Sequence, residues 1–468
     1  MFRLQEENVL LDSNANNAEL NNLYFLHNLA DKTGGNPIPL GSKSGAFLGT
    51  YDDLAYYIWD GTNLQFFDFS RKGGGKSVRG KNFAYWLNKF YGVPVLAFDR
   101  QAENLNAVFP ATHPIGVKNL KAFGIEPDGL KKKFVGLMPA RLAIKDRETS
   151  EYKDEYPNTR VWGLDWLDFQ QLPHTVALQA YEQMLDIEAF TETSKDKYNA
   201  ALNVLELVLN DNKPRDSHEI LELVVEYNET LSESRKTILL ERKIKSAIAG
   251  QALDADYSVN FKDLVKQGKW INVITSLKAA TDNYLQIYEV FLHYLFYFWR
   301  REGKIPPILY ISEEHDLVSG RGTEKNPLKE TYEHTGTKDR KAGNLYYKIT
   351  QNPDRIPYIE IEQADAIILT RPRDPDFAKL LKAINEDVFT VEAAKHLNWN
   401  DSVKVQQCGL ATAKTFTRYY PFYAPCACHE ERAENRLLPI TLKKTSALIA
   451  PITERKQDFA FVKEKRGY

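Results

Sequence analysis

The sequence predicts a mixed α/β protein: a strand-rich N-terminal region, a helical middle, a second strand segment and a small C-terminal module. Three observations predict it. Residues 34 to 171 hold short apolar and aromatic runs separated by turn residues, the pattern of strands. From Thr175 to Arg301 apolar residues recur at spacings of three and four, the period of amphipathic helices. From Gly303 to Thr370 the runs PPILYIS and PYIEIEQADAIIL are apolar and β-branched, and the strand pattern returns.

Composition sets the bounds. A chain of 468 residues exceeds one simple core, so several domains are expected. The formal charge of −2 excludes a global field toward nucleic acid or a membrane, so any such contact needs a local patch. Three cysteines exclude a disulfide scaffold and point to a reducing, cytoplasmic home. The N-terminus shows no basic run followed by an apolar core, so no export signal is expected. The most apolar run, Tyr288 to Trp299, is too short to span a bilayer and reads as a core helix.

Each element follows in order. Asp60-Gly61-Thr62-Asn63 between aromatic runs reads as a hairpin turn. KNFAYWLNKFY reads as a helix closed by Gly92 and Pro94, and VPVLAF as a buried strand. KYNAALNVLELVLN places Ala201, Val204, Leu205 and Val208 on one helix face and ends at Asn212-Lys213-Pro214. One or two long helices extend from His218 to Gly250, with further helices around Phe261 to Ala280 and Asn283 to Arg301. The divisions expected are 1–171, a helical domain at 172–303, a strand segment at 304–370 that joins the first sheet, a module at 371–425 and an extension at 426–468.

Four constellations could carry chemistry. The first is SRKGGGKS, Ser70 to Ser77, between a strand-like run and a helix. Gly75-Lys76-Ser77 fits the end of a phosphate-binding P-loop, but Ser70 stands where that motif has Gly. The basic residues Arg71, Lys72, Lys76 and Arg79 around three glycines suit contact with a nucleic-acid backbone, which is the reading preferred here. Asp99, ending VLAFD, could be offered as a metal-binding aspartate, but it follows the loop almost immediately.

The second is the polar stretch with Glu313, Glu314, His315, Asp316 and His334, followed by Lys338, Arg340 and Lys341, which reads as a solvated loop rather than a metal site. Glu360 and Glu362 share one strand face, but a nuclease-type site would want Lys at the second position. The third is Cys426-Ala427-Cys428-His429, too tightly spaced to hold zinc unless Cys408 and His396 join, so neither metal nor cofactor is expected.

The fourth lies between Asp376 and Phe416. Phe377, Leu380, Leu381 and Ile384 form a helix stripe. Thr390 starts a second helix, and Asp401 or Ser402 caps a third, with Val405 and Cys408 inward. A short turn separates the last two, and TRYYPFYAP could form a wing. On these residues, 376–425 resembles a winged helix-turn-helix domain. The resemblance implies a third helix, from Ser402 to Phe416, presenting Lys404, Gln406, Gln407 and Lys414 to DNA, with Arg418 on phosphate.

Together these readings predict a nucleic-acid-binding protein, with DNA or RNA as partner and no membrane, of a mobile-element, replication or antiviral-defence type. The alternatives are an enzyme acting on nucleotides or phosphodiesters, and a subunit of an RNA-guided nucleoprotein complex that needs protein partners.

Overall fold

The computed structural model describes residues 36–42, 54–59, 61, 63–70, 76–99, 103–110, 129–130, 132–139, 159–162, 178, 195–211, 214, 216–232, 236–249, 259–274, 283–313, 342–350, 364–370, 410–415 and 418–423. The strands are β1 (Asn36–Ser42), β2 (Leu54–Trp59), β3 (Leu64–Ser70), β4 (Val95–Asp99), β5 (Phe134–Pro139), β6 (Thr159–Trp162), β7 (Trp270–Ile274), β8 (Leu309–Glu313), β9 (Leu345–Thr350), β10 (Ala366–Thr370), β11 (Leu410–Thr415) and β12 (Arg418–Tyr423). The helices are α1 (Lys76–Tyr91), α2 (Lys195–Asp211), α3 (Ser217–Thr230), α4 (Ile238–Ala249), α5 (Phe261–Lys266) and α6 (Asn283–Arg301). The mixed α/β class read from the sequence holds.

All the strands join one 12-stranded sheet in the order β2-β1-β12-β11-β10-β3-β9-β8-β4-β7-β5-β6. From β10 to β6 every neighbouring pair is parallel. The β2 side is an antiparallel extension. Parallel strands are covered on both faces, which is why β4, β7 and β9 are buried along their whole lengths and carry apolar runs rather than alternation. At roughly 1.5–3 kcal/mol for each fully buried large apolar side chain, these central strands are a main source of stability.

On one face α1 crosses the sheet. Phe83 packs between Phe66 of β3 and Tyr347 of β9, with ring centroids at 4.7 and 5.0 Å. Gly80 permits the close approach, since a Cβ there would lie 3.0 Å from the Ile349 side chain. The helix ends at Gly92, whose φ of 65° is left-handed, as the Gly-Val-Pro sequence predicts.

The opposite face carries a cluster in which Leu96, Phe98, Val135, Leu137, Ile271 and Val273 of the sheet meet α2 to α6. Ala201, Val204, Leu205 and Val208 of α2 are buried there, the face expected from their spacing.

Two local expectations fail. Gly61 has a turn conformation, but β2 and β3 are not neighbours in the sheet, so Asp60-Gly61 does not make a hairpin. The helix expected around 261–280 stops at Lys266, and WINVI becomes β7, because a β-branched run buried on both faces pairs with β4 and β5. The helical middle therefore supplies a central strand. The stretch from His218, read as one or two helices, forms two, α3 and α4. Asn228 joins them by accepting from the Thr237 backbone and hydroxyl and donating to Glu241 at 2.7 Å.

The segment read as a winged helix-turn-helix falls mostly outside the described residues, including Lys404, Gln406 and Gln407. Its end does not follow the expectation. Residues 410–415 form strand β11, not the end of a reading helix, and β11 pairs with β10 and β12. LATAKT offers small and β-branched residues, which a sheet neighbour recruits more readily than a helix does.

Candidate phosphate-loop site

The carboxyl ends of parallel strands are where open α/β sheets bind ligands. Here β3 lies inside the parallel section, between β10 and β9. It ends at Ser70, and after the glycine-rich segment α1 begins directly with Lys76 and Ser77. Lys76 is buried and Ser77 half-buried. A helix starting at the end of such a strand aims its first backbone N–H groups and its positive dipole end at one point, an arrangement suited to a phosphate. Arg71 and Lys72 lie outside the described residues.

Neighbouring strands level the acids with this point. Asp68 of β3 is in register with Ile349 of β9, which is in register with Glu313 of β8. Two strand spacings put the Glu313 backbone about 10 Å from that of Asp68. Asp99 ends β4 two residues beyond the Ala97–Ile311 pair, so it reaches the same rim. Its carboxylate accepts from the Asn104 backbone at 2.8 Å and from the Asn272 amide at 3.1 Å, while Asn104 donates to Asn272 at 2.9 Å. Asp99 thus fastens the 3-10 turn at 103–108 to β7, a structural role that the sequence did not announce.

Arg79 is placed differently from the expected phosphate clamp. Its guanidinium is 3% exposed and forks onto both oxygens of Asp68, which is 0% exposed. Tyr347 donates its hydroxyl to the same carboxylate at 2.8 Å. Burial works against the Arg79 charge, but Asp68 outweighs it and holds the guanidinium above its usual range. Burial, with Asp68 close by, pushes the Tyr347 phenol well above the ordinary range, so it stays a donor. Arg79 faces the sheet because it lies one turn beyond Lys76, on the side of α1 that meets β3 and β9.

The other sheet face holds charge that the sequence reading missed. Lys348 is 1% exposed, with its ammonium 5.3 Å from the Phe67 ring and 5.5 Å from that of Tyr346. His293 of α6 stacks on Tyr310 at 4.6 Å and lies 5.2 Å from Phe98. Burial, helped by Lys348, lowers its imidazole to about 3. A lone Lys or His inside an apolar run was the signal available for both.

Lys414 and Arg418 lie on the antiparallel extension, Lys414 in register with Ile367 and Tyr419, and Arg418 with Thr415. Glu314, His315, Asp316, His334, Lys338, Arg340, Lys341, Glu360, Glu362, His396, Cys408, Cys426, Cys428 and His429 are outside the described residues. Among the described residues no group of three or more His, Cys, Asp and Glu side chains is placed to hold a metal. No described helix is long and apolar enough to cross a membrane.

The fold is similar to that of VirB4 from Thermoanaerobacter pseudethanolicus. The likeness has a TM-score of 0.54 at 14% identity and covers 84% of this chain and 98% of that one. The plasmid coupling protein TrwB in complex with ADP and Mg2+ matches with a TM-score of 0.40 at 11% identity, covering 86% of this chain and 89% of that one. The genome packaging NTPase B204 from Sulfolobus turreted icosahedral virus 2, in complex with ATP-gammaS, matches with a TM-score of 0.28 at 11% identity, covering 78% of this chain and 98% of that one. No family model matches the chain, and no curated protein does.

The VirB4-like fold overturns the functional expectation from sequence. A nucleic-acid reader of mobile-element, replication or defence type, or a subunit of an RNA-guided complex, was inferred from a C-terminal module and a basic loop. The chain instead builds one large sheet whose parallel section takes in β3, the strand that leads to that loop, and the end of the supposed module forms two of its added strands, β11 and β12.

Proposed function

We propose that the chain binds a nucleoside triphosphate at the Ser70–Ser77 loop and hydrolyses it. The observation that carries this reading is the junction itself: a strand inside the parallel sheet, a glycine-rich loop, and a helix opening with Lys76 and Ser77. The loop amides would surround the outer phosphates, with the Lys76 ammonium neutralising their charge. Ser70 in place of the motif's first Gly supplies an ordinary backbone amide and lacks only the freedom of left-handed φ.

Magnesium accompanies such a substrate. Ser77, at the start of α1, is the residue that would hold it, while Glu313, at the end of β8 and level with Asp68 across β9, stays outside the metal's shell. When bound, the ion would neutralise charge on the phosphate oxygens and make the terminal phosphorus a better electrophile. The remaining work falls to the chain. Lys76 orients the terminal phosphate, Glu313 orients and deprotonates the attacking water, and the Arg79–Asp68–Tyr347 cluster fixes the helix that carries Lys76.

A nucleic-acid partner fits this reading as the object on which a nucleotide-driven protein acts. It would appear as stimulated turnover. The test is magnesium-dependent phosphate release from ATP by the full chain. Glu313→Gln should abolish release and keep nucleotide binding. Turnover unchanged in Glu313→Gln, or none in the parent chain with and without nucleic acid, sinks the hydrolytic reading.

A further inference from the structure

The amino ends of the parallel strands form the pole of the sheet opposite the phosphate loop. Four lysines gather there. Lys89 lies in the last turn of α1, Lys132 and Lys133 lead into β5, and Lys269 leads into β7. Phe134 and Trp270 are register partners, so Lys133 and Lys269 are neighbours across the sheet, and the Trp270 N–H donates to the Lys133 carbonyl at 2.7 Å.

The Lys133 ammonium donates to the Asn88 carbonyl at 3.2 Å, which brings it to the end of α1 beside Lys89. The Lys269 ammonium donates to the Lys132 carbonyl at 2.7 Å. Asn88 locks the scaffold by donating to the carbonyls of Val93 and Gly268 at 2.9 and 2.8 Å. Side-chain spacing at this pole is therefore held by backbone contacts.

Among the described residues no carboxylate pairs with any of the four. The carboxyl end of α1 carries roughly half a negative charge, which offsets only about half of one of these cations. The surplus is felt within the cluster: burial, then Lys89 and Lys269, lower the Lys133 ammonium from its usual range. Such a surplus is relieved by an anion supplied from outside.

We propose that this lysine pole docks a short acidic polypeptide segment of a partner protein, with carboxylates seated among Lys89, Lys132, Lys133 and Lys269. A peptide suits it better than a nucleic acid. The cluster is compact rather than a track along successive phosphates, and it holds no arginine to fork onto them. The aromatic rings beside it, Phe134 and Trp270, are fully buried and offer no base-stacking surface. This proposal does not depend on nucleotide binding at the other pole.

The experiment is fluorescence anisotropy of a labelled hexaglutamate peptide titrated with the full chain, with an oligothymidylate as the second probe. The expected result is saturable peptide binding that weakens as salt rises and falls about tenfold in Lys133→Gln/Lys269→Gln. Charge reversal at the exposed Lys132 by Lys132→Glu gives the same readout if the double variant does not fold. Peptide binding that is absent, or unchanged in all these variants, overturns the proposal. So does oligothymidylate binding that depends on these lysines while hexaglutamate fails to compete, since the pole would then serve nucleic acid.

Discussion

Arg79 of α1 and Asp68 of β3 form a buried bidentate ion pair, and Tyr347 of β9 donates to the same carboxylate. The pair fastens the helix opened by Lys76 to the strand that precedes its loop, so fold and site meet in one contact. Removing one partner leaves an unanswered charge in the core. Asp68→Ala and Arg79→Ala should each cost roughly 3–5 kcal/mol of unfolding free energy, read from urea midpoints. An Arg79 whose role was to hold phosphate would instead leave the midpoint unchanged.

Gly80 sets how closely α1 sits on β9. A Cβ would meet the Ile349 and Tyr347 side chains at 3.0 and 3.3 Å. Alanine gains helix propensity of up to about 1 kcal/mol, and the end of Ile349 can shift to admit it, so Gly80→Ala should be near neutral. Gly80→Leu overfills the contact and should cost roughly 1–3 kcal/mol, measured by chemical denaturation.

His293 gives the protein an acid-sensitive core. Its imidazole is lowered to about 3 in the folded chain, against 6.5 unfolded. Below pH 6.5 the unfolded state takes up a proton that the folded state does not. The His293 contribution is therefore complete above pH 6.5 and is lost as pH falls toward 3, by up to about 1.4 kcal/mol per pH unit. His293→Phe, which keeps an aromatic ring beside Tyr310, should flatten the fall in urea midpoint between pH 7 and pH 5. Parallel pH profiles for the two proteins would contradict this.

Asn228 joins α3 to α4 through Thr237 and Glu241, on the helical face and away from the loop. Asn228→Ala strands the buried Thr237 and the half-buried Glu241 and should cost about 1–3 kcal/mol in unfolding free energy. Nucleotide affinity should not move.

Sequence periodicity revealed the class, because helix stripes such as Ala201, Val204, Leu205 and Val208, and runs such as VLAFD, carry their own period. Pairing was harder to read. Nothing local says that β7, WINVI, belongs between β4 and β5, since parallel neighbours are chosen by crossovers far apart in the chain. For the same reason LATAKT alone predicts the end of a helix, and its strand state comes from pairing with β10. At the site, Gly75-Lys76-Ser77 was visible as a phosphate-loop ending, but the serine at position 70 and the nearby basic residues favoured a nucleic-acid contact. The buried partner of Arg79 was also legible in principle: Asp68 is an acid inside an apolar strand, and such an acid needs a cation nearby.

The central claim is that Lys76 stands in a phosphate loop. Titration of a fluorescent ATP analogue with magnesium, followed by anisotropy for the parent chain and Lys76→Ala, tests it most directly. The account predicts saturable binding by the parent chain and binding at least about tenfold weaker in Lys76→Ala, with the urea midpoint showing that the variant is folded. Equal binding by the two proteins, or no binding by the parent chain, would contradict it.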